Sequence, residues 1–124
     1  MSNKSQIREY ATQAVNDELE AIENLPLFIT DDFTSAVESI ANASGRLIVT
    51  GIGKSAIIAQ KIVATMNSTG QPSIFMHAAD AIHGDLGIIQ TGDVVLAISK
   101  SGNTPELKAL VPYLKSYGNV LLGM

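Results

Sequence analysis

The stretch Asp93-Val-Val-Leu-Ala-Ile-Ser99-Lys100-Ser101-Gly102-Asn103-Thr104-Pro105-Glu106 decides the fold. Val94 to Ile98 is an unbroken apolar run without alternation, the pattern of a parallel strand buried on both faces. It ends in hydroxyls and a glycine. Thr104 followed by Pro105 reads as N-cap and first helical position, because proline lacks only an amide that has no partner there. A buried strand, a polar loop and a helix therefore follow one another directly. Helix-start amides and the positive end of the helix dipole point into that loop, beside Ser99, Ser101 and Thr104. A phosphate dianion would meet only donors before Glu106. The same residues also suit a plain strand-to-helix turn, with the hydroxyls as caps and Gly102 relieving a tight backbone.

Working outward, the other segments repeat the alternation. Arg46 to Thr50 reads as the first strand and runs into Gly51-Ile-Gly53-Lys54-Ser55, with a helix from about Ala56 to Asn67. Thr69 to Pro72 forms a turn, and Ser73 to Met76 a second short strand closing at His77. Ala78 to Gly87 is a loop or short helix containing His83-Gly84-Asp85. A helix over Pro105–Tyr117, stopped by Gly118, leads to a fourth strand at Asn119–Leu122. Alternating strands and helices imply a doubly wound parallel sheet, whose ligand site lies beyond the carboxyl ends of the strands. Two helices are expected ahead of it. Ser5–Asn24 carries Ile7, Ala11, Ala14, Val15, Leu19 and Ile22 at helical spacing, and Pro26 ends it. The second, from Asp31, turns Phe33, Ala36, Val37 and Ile40 inward and stops at Gly45. The leading helix either folds back on its own domain or lies across a neighbouring subunit. One domain is expected over 1–124, with a helical segment at 1–45 and the α/β core at 46–124. The fourth strand meets Met124 where another loop should follow, so a longer parent domain is expected.

Composition bounds the function. The 124 residues are 46% hydrophobic and 16% charged, enough for a real core, with a net charge of −4. That sign argues against nucleic acid or an anionic membrane as partner. There is no cysteine, hence no disulfide and no thiolate chemistry. No signal peptide is read, and no apolar run approaches the ~20 residues that span a bilayer, so a cytoplasmic protein is expected.

The glycine turn excludes one familiar motif and weakens another. A Walker A loop needs a glycine where Ile48 stands. Gly51, Gly53 and Ala56 fit a dinucleotide fingerprint, but Phe75, Met76 and His77 occupy the strand end that should carry a ribose-binding acid. Two glycines that allow close backbone approach remain, with Lys54 projecting a cation from the same turn. Lys54 otherwise is a solvated amine. The two histidines, His77 and His83, both follow the second strand. An imidazole suits proton transfer near neutral pH, which makes His83 a candidate, though a structural role is equally open. His77 has no partner at ligand spacing. Glu106 suits a helix N-terminus on electrostatic grounds alone, or serves as a base beside a bound phosphosugar.

Together, Gly-Ile-Gly-Lys-Ser at 51–55, Ala-Ala-Asp-Ala-Ile-His-Gly-Asp-Leu-Gly at 78–87 and Ala-Ile-Ser-Lys-Ser-Gly-Asn-Thr at 97–104 resemble the sugar isomerase (SIS) domain, a flavodoxin-like fold, and within it the arabinose-5-phosphate isomerases. The resemblance implies an aldose–ketose isomerase interconverting D-ribulose 5-phosphate and D-arabinose 5-phosphate for the octulosonate sugar (KDO) of lipopolysaccharide. It implies catalytic roles for Lys54, His83 and Glu106. Substrate contacts are implied for Gly53, Ser55, Gly70, Gln71, His83, Ser99, Ser101, Gly102, Asn103 and Thr104. No cofactor is required, an inhibitory zinc falls on His77, and a homotetramer is expected. The family's further glutamate and histidine fall beyond Met124. A non-catalytic sugar-phosphate regulator is the alternative.

Overall fold

The structure, a computed structural model, describes residues 3–124. Its sheet contains four strands, β1 (Leu47–Gly51), β2 (Ser73–His77), β3 (Val94–Ala97) and β4 (Val120–Gly123), all parallel in the order β2-β1-β3-β4. Among the described residues five helices accompany them: α1 (Lys4–Asn24), α2 (Asp31–Ala41), α3 (Lys54–Ser68), α4 (Ala78–Ile82) and α5 (Pro105–Ser116). Short 3₁₀ turns cover Leu25–Phe28 and Asp85–Ile88.

β1 is buried along its whole length, because a strand flanked by neighbours and covered on both faces has no side exposed to water. On one face Leu47, Val49, Val94 and Ile98 pack with Ala59 of α3. On the other, Ile48, Met76 and Val95 pack with Ala78 and Ala81 of α4 and with Leu107, Leu110 and Leu114 of α5. Helices thus lie on both sides, and the expected doubly wound arrangement is the observed one. Small residues set the spacing: Ala56 and Ala59 are the buried positions of α3, so its backbone approaches the sheet closely. Leu110 is fully buried, and its truncation to alanine would cost about 2–5 kcal/mol.

The amino end of the sheet is pinned by one buried acid. Asp93, 2% exposed, accepts from the Arg46 and Gln90 amides at 2.7 and 2.8 Å and from Arg46 Nη2 at 2.7 Å. Arg46 therefore precedes β1 as an anchor instead of beginning the strand. Burial alone would raise the Asp93 carboxyl. The Arg46 guanidinium and the two amides outweigh it and hold the group below its ordinary range.

The chain divides into two compact units, Met1–Ser35 and Ala36–Met124, with the boundary inside α2. α1 spans the expected region, yet none of its residues is buried. The inward-facing stripe expected of the second helix is only partly so: Ala36 and Ile40 are half-buried, whereas Phe33 and Val37 are 52% and 48% exposed. No helix among the described residues is long and apolar enough to cross a membrane.

Candidate phosphate-binding site

The strand order places the site. The chain moves from β1 outward to β2, then crosses back beyond β1 to β3, so the direction of winding reverses between β1 and β3. Ligand crevices of parallel sheets form at such a switch point, past the carboxyl ends of the strands. The segments carrying Lys54, His83 and Glu106 (the start of α3, the end of α4 and the start of α5) follow β1, β2 and β3, which are adjacent in the sheet.

The two glycines after β1 have different causes. A Cβ on Gly51 would lie 3.2–3.3 Å from backbone atoms of Ser55 and Ala56, so its space is taken by the start of α3 and not by a ligand. Gly53 adopts φ 60 and ψ −131, a conformation strained for other residues, and a Cβ there would meet nothing within 4 Å. Gly53 is also the N-cap, so α3 begins at Lys54, earlier than the expected Ala56, and its first amides receive no side-chain cap. Lys54 is exposed and Ser55 half-buried in that first turn.

The loop after β3 is fastened at both ends. Ile98 N donates to Thr50 O at 2.9 Å and Ser99 N to Met124 O at 2.8 Å, which holds the loop's entry between β1 and β4. Ser99 Oγ and Thr104 Oγ1 are 2.7 Å apart and share a hydrogen bond across the loop. Inside it, Gly102 N donates to Ser99 O at 3.2 Å and Asn103 N to Ser101 Oγ at 3.1 Å. Thr104 is the N-cap of α5 by position, but its side chain makes no capping bond. The expected role of its hydroxyl is corrected: it closes the loop against Ser99. The helix start is thus left uncapped and presents its dipole and free donors to the loop. Glu106, half-buried, follows at the second helical position. A cleft of about 300 Å³ opens beside the loop, lined by Ser99, Gly102, Thr104, Leu107, Lys108 and Met124 among others. Lys108 Nζ donates to Asn103 Oδ1 at 2.9 Å. This lysine was not among the expected site residues. The signal available was its place one helical turn beyond Thr104, whose carbonyl accepts the Lys108 amide at 3.0 Å.

The remaining residues are placed as follows. His83, exposed, is the C-cap of α4 and donates its amide to Asp80 O at 3.0 Å. His77 is the N-cap of that helix: its Nδ1 accepts the Ala79 amide at 3.2 Å, and its ring meets Phe75 edge-on at 6.1 Å. Only Nε2 is left for another partner. Among the described residues no group of three His, Cys, Asp or Glu side chains is placed to hold a metal. Gly70 and Gln71 lie in the turn before β2, at the amino end of the sheet. Within one chain they are not brought together with the Ser99–Thr104 loop.

Comparison with known proteins agrees with this geometry. The SIS domain model matches residues 39–124. Arabinose 5-phosphate isomerase KdsD of Pseudomonas aeruginosa is 43% identical over the whole chain, which covers 38% of that protein. Arabinose 5-phosphate isomerase GutQ of Escherichia coli K12 is 46% identical over 86% of the chain, covering 33% of its length. A solved structure of an Escherichia coli CFT073 protein in complex with arabinose 5-phosphate superposes with a TM-score of 0.92 at 38% identity, over 98% of this chain and 65% of that one. The chain thus spans about a third of the length of these curated relatives. With the motif loops at a parallel-sheet switch point and a family match over most of its length, the chain belongs to the SIS domain family.

Proposed function

We propose that this chain supplies the phosphosugar-binding core of an aldose–ketose isomerase that interconverts D-ribulose 5-phosphate and D-arabinose 5-phosphate. The observation that carries it is the uncapped helix start of α5 beneath the closed Ser99–Thr104 loop, following a strand adjacent to the one that leads into Lys54. The names of the relatives support the substrate class. In this scheme the phosphate is anchored by Ser99, Ser101 and Thr104 with the loop amides, and the open-chain sugar extends toward Lys54 and His83. Glu106 removes the proton beside the carbonyl, giving a cis-enediol, and a proton returns at the neighbouring carbon. His83 assists ring opening. Lys54 and fixed dipoles stabilise the enediolate charge.

The protein acts in the cytoplasm in this scheme, feeding KDO and lipopolysaccharide synthesis, and does so as a homotetramer. The tetramer is supported by the apolar side chains of α1, where Ile7, Val15, Leu19 and Ile22 are each more than half exposed. Light scattering on a sizing column checks it; a monomer contradicts it. For the reaction, deuterium uptake from solvent beside the carbonyl of arabinose 5-phosphate is followed in the intact protein and in Glu106→Gln. A loss of roughly 10²–10⁴-fold is expected for a proton-transfer group. Undiminished uptake removes Glu106 from the role. Phosphosugar binding without turnover in the intact protein replaces the enzyme by a sugar-phosphate sensor.

A further inference from the structure

We propose that Lys108 is a phosphate-recognition residue, whose ammonium passes from the Asn103 side chain to the phosphate dianion of a bound sugar. This deepens the phosphosugar function proposed above and rests on it.

Lys108 occupies the fourth position of α5, near the positive end of the helix dipole, where a cation is electrostatically disfavoured. No carboxylate compensates it. Among the described residues the single ion pair is Arg46–Asp93, and Glu106, two positions away, is on a different side of the helix. The ammonium is held instead by a neutral amide oxygen, Asn103 Oδ1 at 2.9 Å, across the mouth of the loop. An amide is a weaker partner for an ammonium than a phosphate oxygen, so an arriving dianion outcompetes it. Lys108 also lines the same cleft as Ser99, Gly102 and Thr104.

At the same end of the sheet one hydroxyl is fully enclosed by protein. Thr50 Oγ1 is the buried side-chain polar atom left without a partner among the described residues. Thr50 is 0% exposed and pairs in register with Ala97, so its side chain shares the sheet face of a residue lining the cleft. Outside it, the helix start and the Lys108 ammonium meet at one cleft, and a dianion satisfies these two positive features together.

The test titrates the intact protein with arabinose 5-phosphate, inorganic phosphate and uncharged D-arabinose, as wild type, Lys108→Met and Lys108→Arg. Loss of one hydrogen bond to a charged group predicts phosphosugar and phosphate affinities about ten- to a hundred-fold weaker in Lys108→Met. Lys108→Arg restores most of the loss, D-arabinose is unaffected, and the unfolding midpoint does not move. Equal phosphate affinity in wild type and Lys108→Met overturns the role of Lys108 and leaves the phosphosugar site standing. A wild type that binds neither phosphate nor the phosphosugar overturns both.

Discussion

Removing the Asp93 carboxylate should cost this domain more than any other single polar change outside the site. The side chain, 1% exposed, accepts four hydrogen bonds: from Arg46 N at 2.7 Å, Arg46 Nε at 3.3 Å, Arg46 Nη2 at 2.7 Å and Gln90 N at 2.8 Å. In Asp93→Ala the guanidinium, 29% exposed, turns partly to water, so its share is discounted. Each of the two backbone amides loses a bond to a charged acceptor worth about 1.5–3 kcal/mol. The two together come to about 3–6 kcal/mol, in line with the ~3–5 kcal/mol for breaking a buried ion pair and a large fraction of the 5–15 kcal/mol typical of a domain. Urea denaturation at pH 7 reads it directly, as a lower midpoint at unchanged slope. The pH dependence gives a second readout. The folded carboxyl titrates below its unfolded value of about 3.9, so its stabilisation is present above that pH and is lost as pH falls through the folded value. Asp93→Asn should flatten that acid limb. A loss below about 1 kcal/mol in Asp93→Ala, or an unchanged acid limb in Asp93→Asn, would refute the reasoning.

Thr50→Val removes a hydroxyl without a partner at constant shape and should be neutral or stabilising by up to about 1 kcal/mol; a destabilisation beyond ~0.5 kcal/mol in the same denaturation assay would reveal a partner. Gly45→Ala should destabilise by about 2 kcal/mol or more, because its Cβ would fall 2.5 Å from Asp93 Oδ1 and 2.6 Å from backbone atoms of Asp93 and Gly92. A thermal midpoint equal to wild type contradicts that packing.

The α/β class was legible because Val94–Ala97 and Leu47–Gly51 are short buried runs that stop in glycine- and hydroxyl-rich turns, and those turns are where the structure places the strand ends. Boundaries were less so. α3 starts at Lys54 because Gly53 takes the cap with a positive φ, a choice that depends on backbone geometry and not on residue pattern. The stripe on α2 predicts an apolar side without saying what covers it, and Phe33 and Val37 are exposed within the chain. At the site, local sequence names Ser99, Ser101 and Thr104, yet it cannot reveal that Thr104 turns away from its helix toward Ser99. Lys108 reads as a solvated surface lysine until the fold brings Asn103 to it. Asp93 reads as a turn residue, since its partners Arg46 and Gln90 come from other segments.

The most direct measurement is a crystal structure of the protein with arabinose 5-phosphate. The phosphorus is expected within hydrogen-bonding reach of Ser99, Ser101, Thr104 and the first amides of α5, with the sugar directed toward Lys54. A phosphosugar seated elsewhere, with the Ser99–Thr104 loop vacant, would contradict the account.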